Sequence, residues 1–150
     1  MRALKRALVA VKLRRERGEV HLGVVHFAIL SNHLHLIVEA GNRIALSRGL
    51  QSLEIRMARA LNRSMGRTGR VFADRFHAHI LRTPTEVGHA RRYVLENAAI
   101  HDARAGLCSV SADGFTSESM PDCTSPSRTW LLGEGWRRAR VRAGRSTAPS

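Results

Sequence analysis

At 150 residues and 43% hydrophobic side chains, the chain has the length and composition of one globular domain with a proper core. Its charge is lopsided: 25 basic residues stand against 12 acidic ones, a net +13, and all but Lys5 and Lys12 of the basic residues are arginines. Such an excess favours a polyanionic partner, most often nucleic acid, although an arginine-rich proteome would give the same composition.

Residues 2–17 read as a helix, with Leu4, Leu8 and Val11 on one side and arginines around them. Its apolar stretch, 7–11, is too short for a signal-peptide core, and nothing in the chain approaches a membrane span, so a cytoplasmic protein is expected. Gly18 breaks the helical pattern. Residues 20–30, rich in Val, Ile and Phe, and residues 33–39 read as two strands of a hairpin, with Ser31-Asn32 as the tight turn. Residues 44–64 give the clearest helix, because Leu46, Leu50, Leu53, Met57 and Leu61 recur at the intervals of one buried face. Arg48, Arg56, Arg59 and Arg63 fall on roughly the opposite side, usually no more than a solvated face, here also a candidate phosphate-tracking surface.

After a turn at 66–69, residues 71–81 read as another strand containing Phe72, Phe76 and Ile80. Thr83-Pro84-Thr85-Glu86 is a helix start: Thr83 suits the N-cap, Pro84 the first helical position, and Glu86 completes a capping box. That helix should run to about Ala105, where Gly106 supplies the stop. Residues 108–129 turn to Ser, Thr, Asp, Gly and Pro and read as a flexible linker with little core. Trp130-Leu131-Leu132 and Trp136 could dock a short final helix, followed by a basic tail that frays. The expected division is a core domain over 1–107, the linker, and a C-terminal basic segment over 130–150. The order helix, strand, strand, helix, strand, helix predicts an α+β fold, an antiparallel sheet with helices packed on it. A ferredoxin-like sheet would have one more strand before the first helix, and losing it would expose ladder groups.

Within this frame, His33-Leu34-His35 stands out. Strand side chains alternate faces, so the two imidazoles share one face and could hold a divalent metal. Tyr93 is the sole tyrosine, and Asn97 lies one turn further along the same helix, with His89 one turn before and His101 one turn after Asn97. A phenol can attack a phosphodiester, but one with the ordinary pKa near 10 needs the phosphate polarised to react at neutral pH. A second pair, His77-Ala78-His79, competes with the first; four histidines on two strands could build a structural zinc site. Taken singly, a His-x-His pair on a strand is more often chance, and a helical tyrosine is more often a packing residue. Cys108 and Cys123 form no C-x-x-C pair, which excludes a cysteine zinc cluster and fits a reducing compartment.

Together, these motifs resemble a known family. Asn32-His33-Leu34-His35-Leu36 looks like the His-hydrophobic-His signature of the HUH single-tyrosine transposases. Arg67-x-Gly69-x-Val71-Phe72-x-Asp74-Arg75-Phe76 is similar to the family's block after its long helix, and Arg92-Tyr93-Val94-x-x-Asn97 resembles its catalytic helix, closest to the REP-associated tyrosine transposase branch. The resemblance covers about residues 20–106. It implies a ferredoxin-like sheet with the metal pair on a central strand and the tyrosine on a later helix. It further implies that His33, His35 and Asn97 bind Mg2+ or Mn2+, and that Tyr93 attacks single-stranded or hairpin DNA, leaving a 5′-phosphotyrosine and a free 3′-OH that strand transfer rejoins, often in a homodimer. The candidate DNA contacts are Arg56, Arg59, Arg63, Arg67, Arg70, Arg75, Arg91 and Arg92. The alternative, prompted by the absent first strand, is an inactive or domesticated nucleic-acid-binding remnant of that family.

Overall fold

A computed structural model describes residues 2–30, 33–73, 76–104 and 115–138, with side chains of the long third helix described as far as Glu96. The first helix, α1, spans Arg2–Glu16 and buries Leu4, Ala7, Leu8 and Val11 along one side. Gly18 ends it at φ 75, a left-handed conformation that only glycine adopts cheaply. There Gly18 N–H donates to the Arg15 carbonyl at 3.0 Å and Glu19 N–H to the Arg14 carbonyl at 2.9 Å, the paired bonds of a glycine-terminated helix.

Strands β1 (Leu22–Ile29) and β2 (Leu34–Ala40) form the antiparallel hairpin that the sequence predicts. Leu30 N–H donates to the His33 carbonyl at 2.9 Å; the turn residues Ser31 and Asn32 lie outside the described set. Helix α2 (Arg43–Ser64) follows, capped by Asn42, whose side-chain oxygen accepts from Ala45 N–H at 2.8 Å. Its predicted apolar stripe is its packed face: Leu50, Leu53 and Met57 are buried and Leu46 and Leu61 pack beside them. Helix α3 (Pro84–Arg104) begins with the expected capping box. Thr83 Oγ1 accepts from Glu86 N–H at 3.2 Å, while the Glu86 carboxylate accepts from the backbone of Thr83 and Arg82 at 3.3 and 2.6 Å. Those backbone donors, chiefly Arg82, hold the Glu86 carboxyl below its ordinary pKa.

The architecture is α+β, three strands in an antiparallel sheet between helices. Leu22, Val24, Phe27 and the inner sides of Leu34, Leu36 and Val38 meet α1 and α2 on one face. Val25, Ala28 and Ile37 meet Val87 and Val94 of α3, with Leu132 and Trp136, on the other. A bulge at Val25 changes the register between Val24↔Val38 and His26↔Ile37, and so turns both Val25 and His26 toward the α3 layer.

Two expectations give way. No ladder forms over 71–81 among the described residues; Phe76 and Ile80 are exposed. Where the chain leaves the turn after α2, side chains bond the carbonyls of 69–72: Asn62 Nδ2 donates to Gly69, Arg67 Nη2 to Arg70 and Arg70 Nε to Phe72, at 2.8, 3.2 and 2.7 Å. The stretch read as a linker with little core also packs, from residue 115 onward. Strand β3 (Phe115–Thr116) pairs with Ile29 and Ala28. Ser117 and Ser125 N–H then donate to the Phe27 and Val24 carbonyls at 2.9 and 2.7 Å. A short 3-10 turn, Pro121–Cys123, buries Cys123 in the α1–α2 core, and that burial raises its thiol pKa.

Glu39 fastens the rest of the segment. Its carboxylate accepts from Arg15 Nη2 at 3.1 Å, from Arg128 and Thr129 N–H at 2.8 and 2.9 Å, and from Thr129 Oγ1 at 2.6 Å. The Arg15 guanidinium lies where a Cβ on residue 23 would be, so glycine at that position opens its path. Burial alone would raise the Glu39 carboxyl pKa; the Thr129, Arg128 and Arg15 donors outweigh it and hold the group below its ordinary value. The chain then runs into a wide helical turn, Leu131–Gly135, which docks Leu132 and Trp136, while Trp130, expected to dock with them, stays exposed. The remaining expected linker residues, 108–114, with Cys108, and most of the basic tail lie outside the described set. No helix among the described residues is long and apolar enough to cross a membrane.

Candidate active site

The hairpin presents His33 and His35 on the sheet face that α3 covers. Leu34 and Leu36 point to the α1–α2 core, so the intervening histidines point the other way. The two imidazoles stand edge to face with centroids 4.8 Å apart. Val87, Ala90 and Val94 seat α3 on the same face of the sheet at intervals of three and four. Tyr93, flanking that buried stripe, therefore reaches back to the strand. Its ring meets His35 at 5.1 Å between centroids and 75° between planes. With Tyr93 57% exposed and His33 exposed, the phenol and one imidazole open onto solvent beside the half-buried His35.

The fold thus brings His33, His35 and Tyr93 together. The Asn97 side chain lies outside the described set, as does Arg75. The histidine pair sits on β2, the outer strand in the order β2-β1-β3, rather than on the central strand that the family resemblance implies; the C-terminal segment has taken the second edge of β1. His77 and His79 are exposed in the stretch without a ladder. Among the described residues no three His, Cys, Asp or Glu side chains converge, so the four-histidine zinc site does not form there. Mg2+ and Mn2+ both favour oxygen ligands, so two imidazole nitrogens would need oxygen donors beside them to hold either ion, Mn2+ accepting imidazole more readily than Mg2+.

The candidate arginines divide by layer. Arg56, Arg59 and Arg63 ride on α2, in the layer opposite α3, with Arg59 and Arg63 exposed and Arg56 half-buried. Arg67 and Arg70 are engaged in folding the turn after α2, where Arg67 Nε also donates to Asn62 Oδ1 at 3.1 Å. Arg91 and Arg92 flank Tyr93 on α3. Arg92 faces Glu96 across 3.9 Å on the surface. Arg91 is built in: its Nε donates to His26 Nε2 at 3.0 Å, its guanidinium lies 4.0 Å over the Trp136 ring, and Glu118 is 3.9 Å away. His26 Nδ1 in turn lies 3.3 Å from Ser117 Oγ. Since Nε2 accepts, Nδ1 carries the proton toward Ser117. Burial, and secondarily the Arg91 charge, lower the His26 pKa to about 4. Nothing in the sequence singled out His26, because a bulge decides which face it takes.

Compared with known proteins, the chain matches no family model, no curated protein and no solved structure.

Proposed function

We propose that the protein is a metal-dependent nuclease and strand-transfer enzyme of the HUH single-tyrosine type, acting on single-stranded or hairpin DNA. The observation that carries this reading is the convergence of His33, His35 and Tyr93, two imidazoles and a phenol from separate elements meeting at one exposed spot of a strongly basic protein.

Tyr93 Oη forms a bond to the phosphorus of a backbone phosphodiester as its own proton leaves. The bond from phosphorus to the 3′-oxygen breaks, and that oxygen takes up a proton as a free 3′-OH. The 5′-phosphate stays on Tyr93 as an ester, and attack by a 3′-OH reverses the step, so no nucleotide hydrolysis is required. His33 and His35 would hold Mn2+ or Mg2+, with Asn97 as the third donor, and the cation would polarise the phosphate oxygens. Tyr93 is held for attack by α3, whose register on the sheet is set by Val87 and Val94 and by the Arg91–His26 bond. Exposed arginines beside the site, Arg92 first, would bind the flanking phosphates.

The test incubates purified protein with a single-stranded hairpin oligonucleotide and Mn2+ or Mg2+. A covalent protein–DNA adduct is expected, and Tyr93→Phe should abolish it. Equal adduct in the variant would overturn the choice of nucleophile. Salt-sensitive binding with no adduct in the wild type would favour the non-catalytic remnant instead.

A further inference from the structure

On the flank of α3 next to that of Tyr93, a cavity of about 370 Å3 lies between the helix and the C-terminal segment. Gly88 and Arg92 line it one helical turn apart; Tyr93, the next residue, is rotated about 100° from Arg92. Gly88 sits inside a helix, where glycine is less favourable than alanine. A Cβ at this position would meet nothing within 4 Å, so packing does not require the glycine. What the missing side chain does is leave the cavity open.

The opposite wall is chemically specific. The Arg91 guanidinium carbon sits 4.0 Å from the Trp136 ring centroid, a cation–aromatic contact that Arg137 joins at 5.5 Å, and Arg91 also bonds His26 and faces Glu118. The lining mixes arginine donors with the carboxylates of Glu96 and Glu118. A bare phosphate would meet two negative charges, and an apolar ligand would leave unused the Arg91–Glu118 and Arg92–Glu96 pairs that rim the cavity. A planar ring whose edge carries both donors and acceptors satisfies the set, and stacking on a guanidinium or aromatic plane is how unpaired bases are held. We propose that this cavity binds one unpaired nucleobase of the substrate strand, with its backbone phosphate at Arg92 and His89. The inference rests on the nucleic-acid reading above and adds a base-binding site that the cleavage chemistry does not need.

The test measures binding of a fluorescent single-stranded oligonucleotide and of an otherwise identical abasic one to the full chain. The abasic strand should bind about tenfold more weakly, the loss of one stacked base. Gly88→Leu, which fills the cavity while favouring the helix, should remove that difference by weakening only the intact strand, with circular dichroism reporting its fold. Tyr93→Phe should keep the difference. Equal binding of both strands by the wild type overturns the proposal without any variant, as does a folded Gly88→Leu protein that still discriminates. No binding of either strand overturns this inference and the nucleic-acid reading together. Discrimination without adduct formation leaves the base site standing and removes the nuclease.

Discussion

The Tyr93 ring stands edge-on to that of His35, 5.1 Å between centroids, although one residue comes from α3 and the other from the hairpin. Because His33 meets His35 edge to face in turn, at 4.8 Å, the phenol and the two imidazoles form one unit. Removing a single imidazole should therefore separate chemistry from DNA affinity. His33→Ala or His35→Ala is expected to lower metal-dependent cleavage by about 100-fold or more at fixed Mn2+, while DNA binding at the same salt changes little. Single-turnover rates and anisotropy titrations measure the two. A variant that cleaves normally removes the histidines from the site.

The Arg15–Glu39 pair predicts a large effect on stability. Its side chains are only 6% and 8% exposed, and Glu39 also accepts the backbone of the C-terminal segment. Glu39→Gln leaves Arg15 buried without its counter-charge, at an expected cost of about 3 kcal/mol. The surface pair Arg92–Glu96 should contribute at most about 0.5 kcal/mol. Urea unfolding of Glu39→Gln and Glu96→Gln compares the two, and similar midpoints would show that Glu39 does not fasten the segment.

His26 predicts an acid-sensitive step. Its pKa falls from the ordinary 6.5 to about 4, so below pH 6.5 the unfolded chain takes up a proton that the folded chain refuses. The His26 contribution is level above that pH, and stability declines as the pH falls from 6.5 toward 4. Glu39, whose carboxyl is held below its ordinary 4.5, adds a loss at still lower pH as it becomes protonated. His26→Gln can still accept from Arg91 and donate to Ser117, so it should flatten the upper part of the decline. Melting temperatures between neutral pH and pH 4 provide the comparison. Parallel curves for wild type and variant would assign the step elsewhere.

Thr83 predicts a local effect with a distant consequence. Its hydroxyl caps the helix that carries Tyr93. Thr83→Ala should cost about 1 kcal/mol of stability. Thr83→Ser, which keeps the hydroxyl, should cost less. Equal losses would point to the Thr83 methyl group rather than the cap.

The features already legible in the sequence are those that local chemistry determines. The Thr83–Glu86 box, the α2 stripe, the hairpin and the shared face of His33 and His35 each depend on residues within one or two turns or across one tight connection. The rest depended on which edges and faces were available. Residues 71–81 have the apolar content of a strand but form no ladder among the described residues, and at its start the Phe72 carbonyl is taken by the Arg70 side chain instead. Residues 115–129 have the composition of a loop, yet they run along the second edge of β1 because the β1 carbonyls offer bonds there, while Glu39 of β2 accepts from Arg128 and Thr129 further on. The sequence by itself determined which residues could make a metal hook and a nucleophile. Only the tertiary structure decided that they meet, because the spacing of Tyr93 from His35 depends on how α3 packs on the sheet, and no local pattern encodes that.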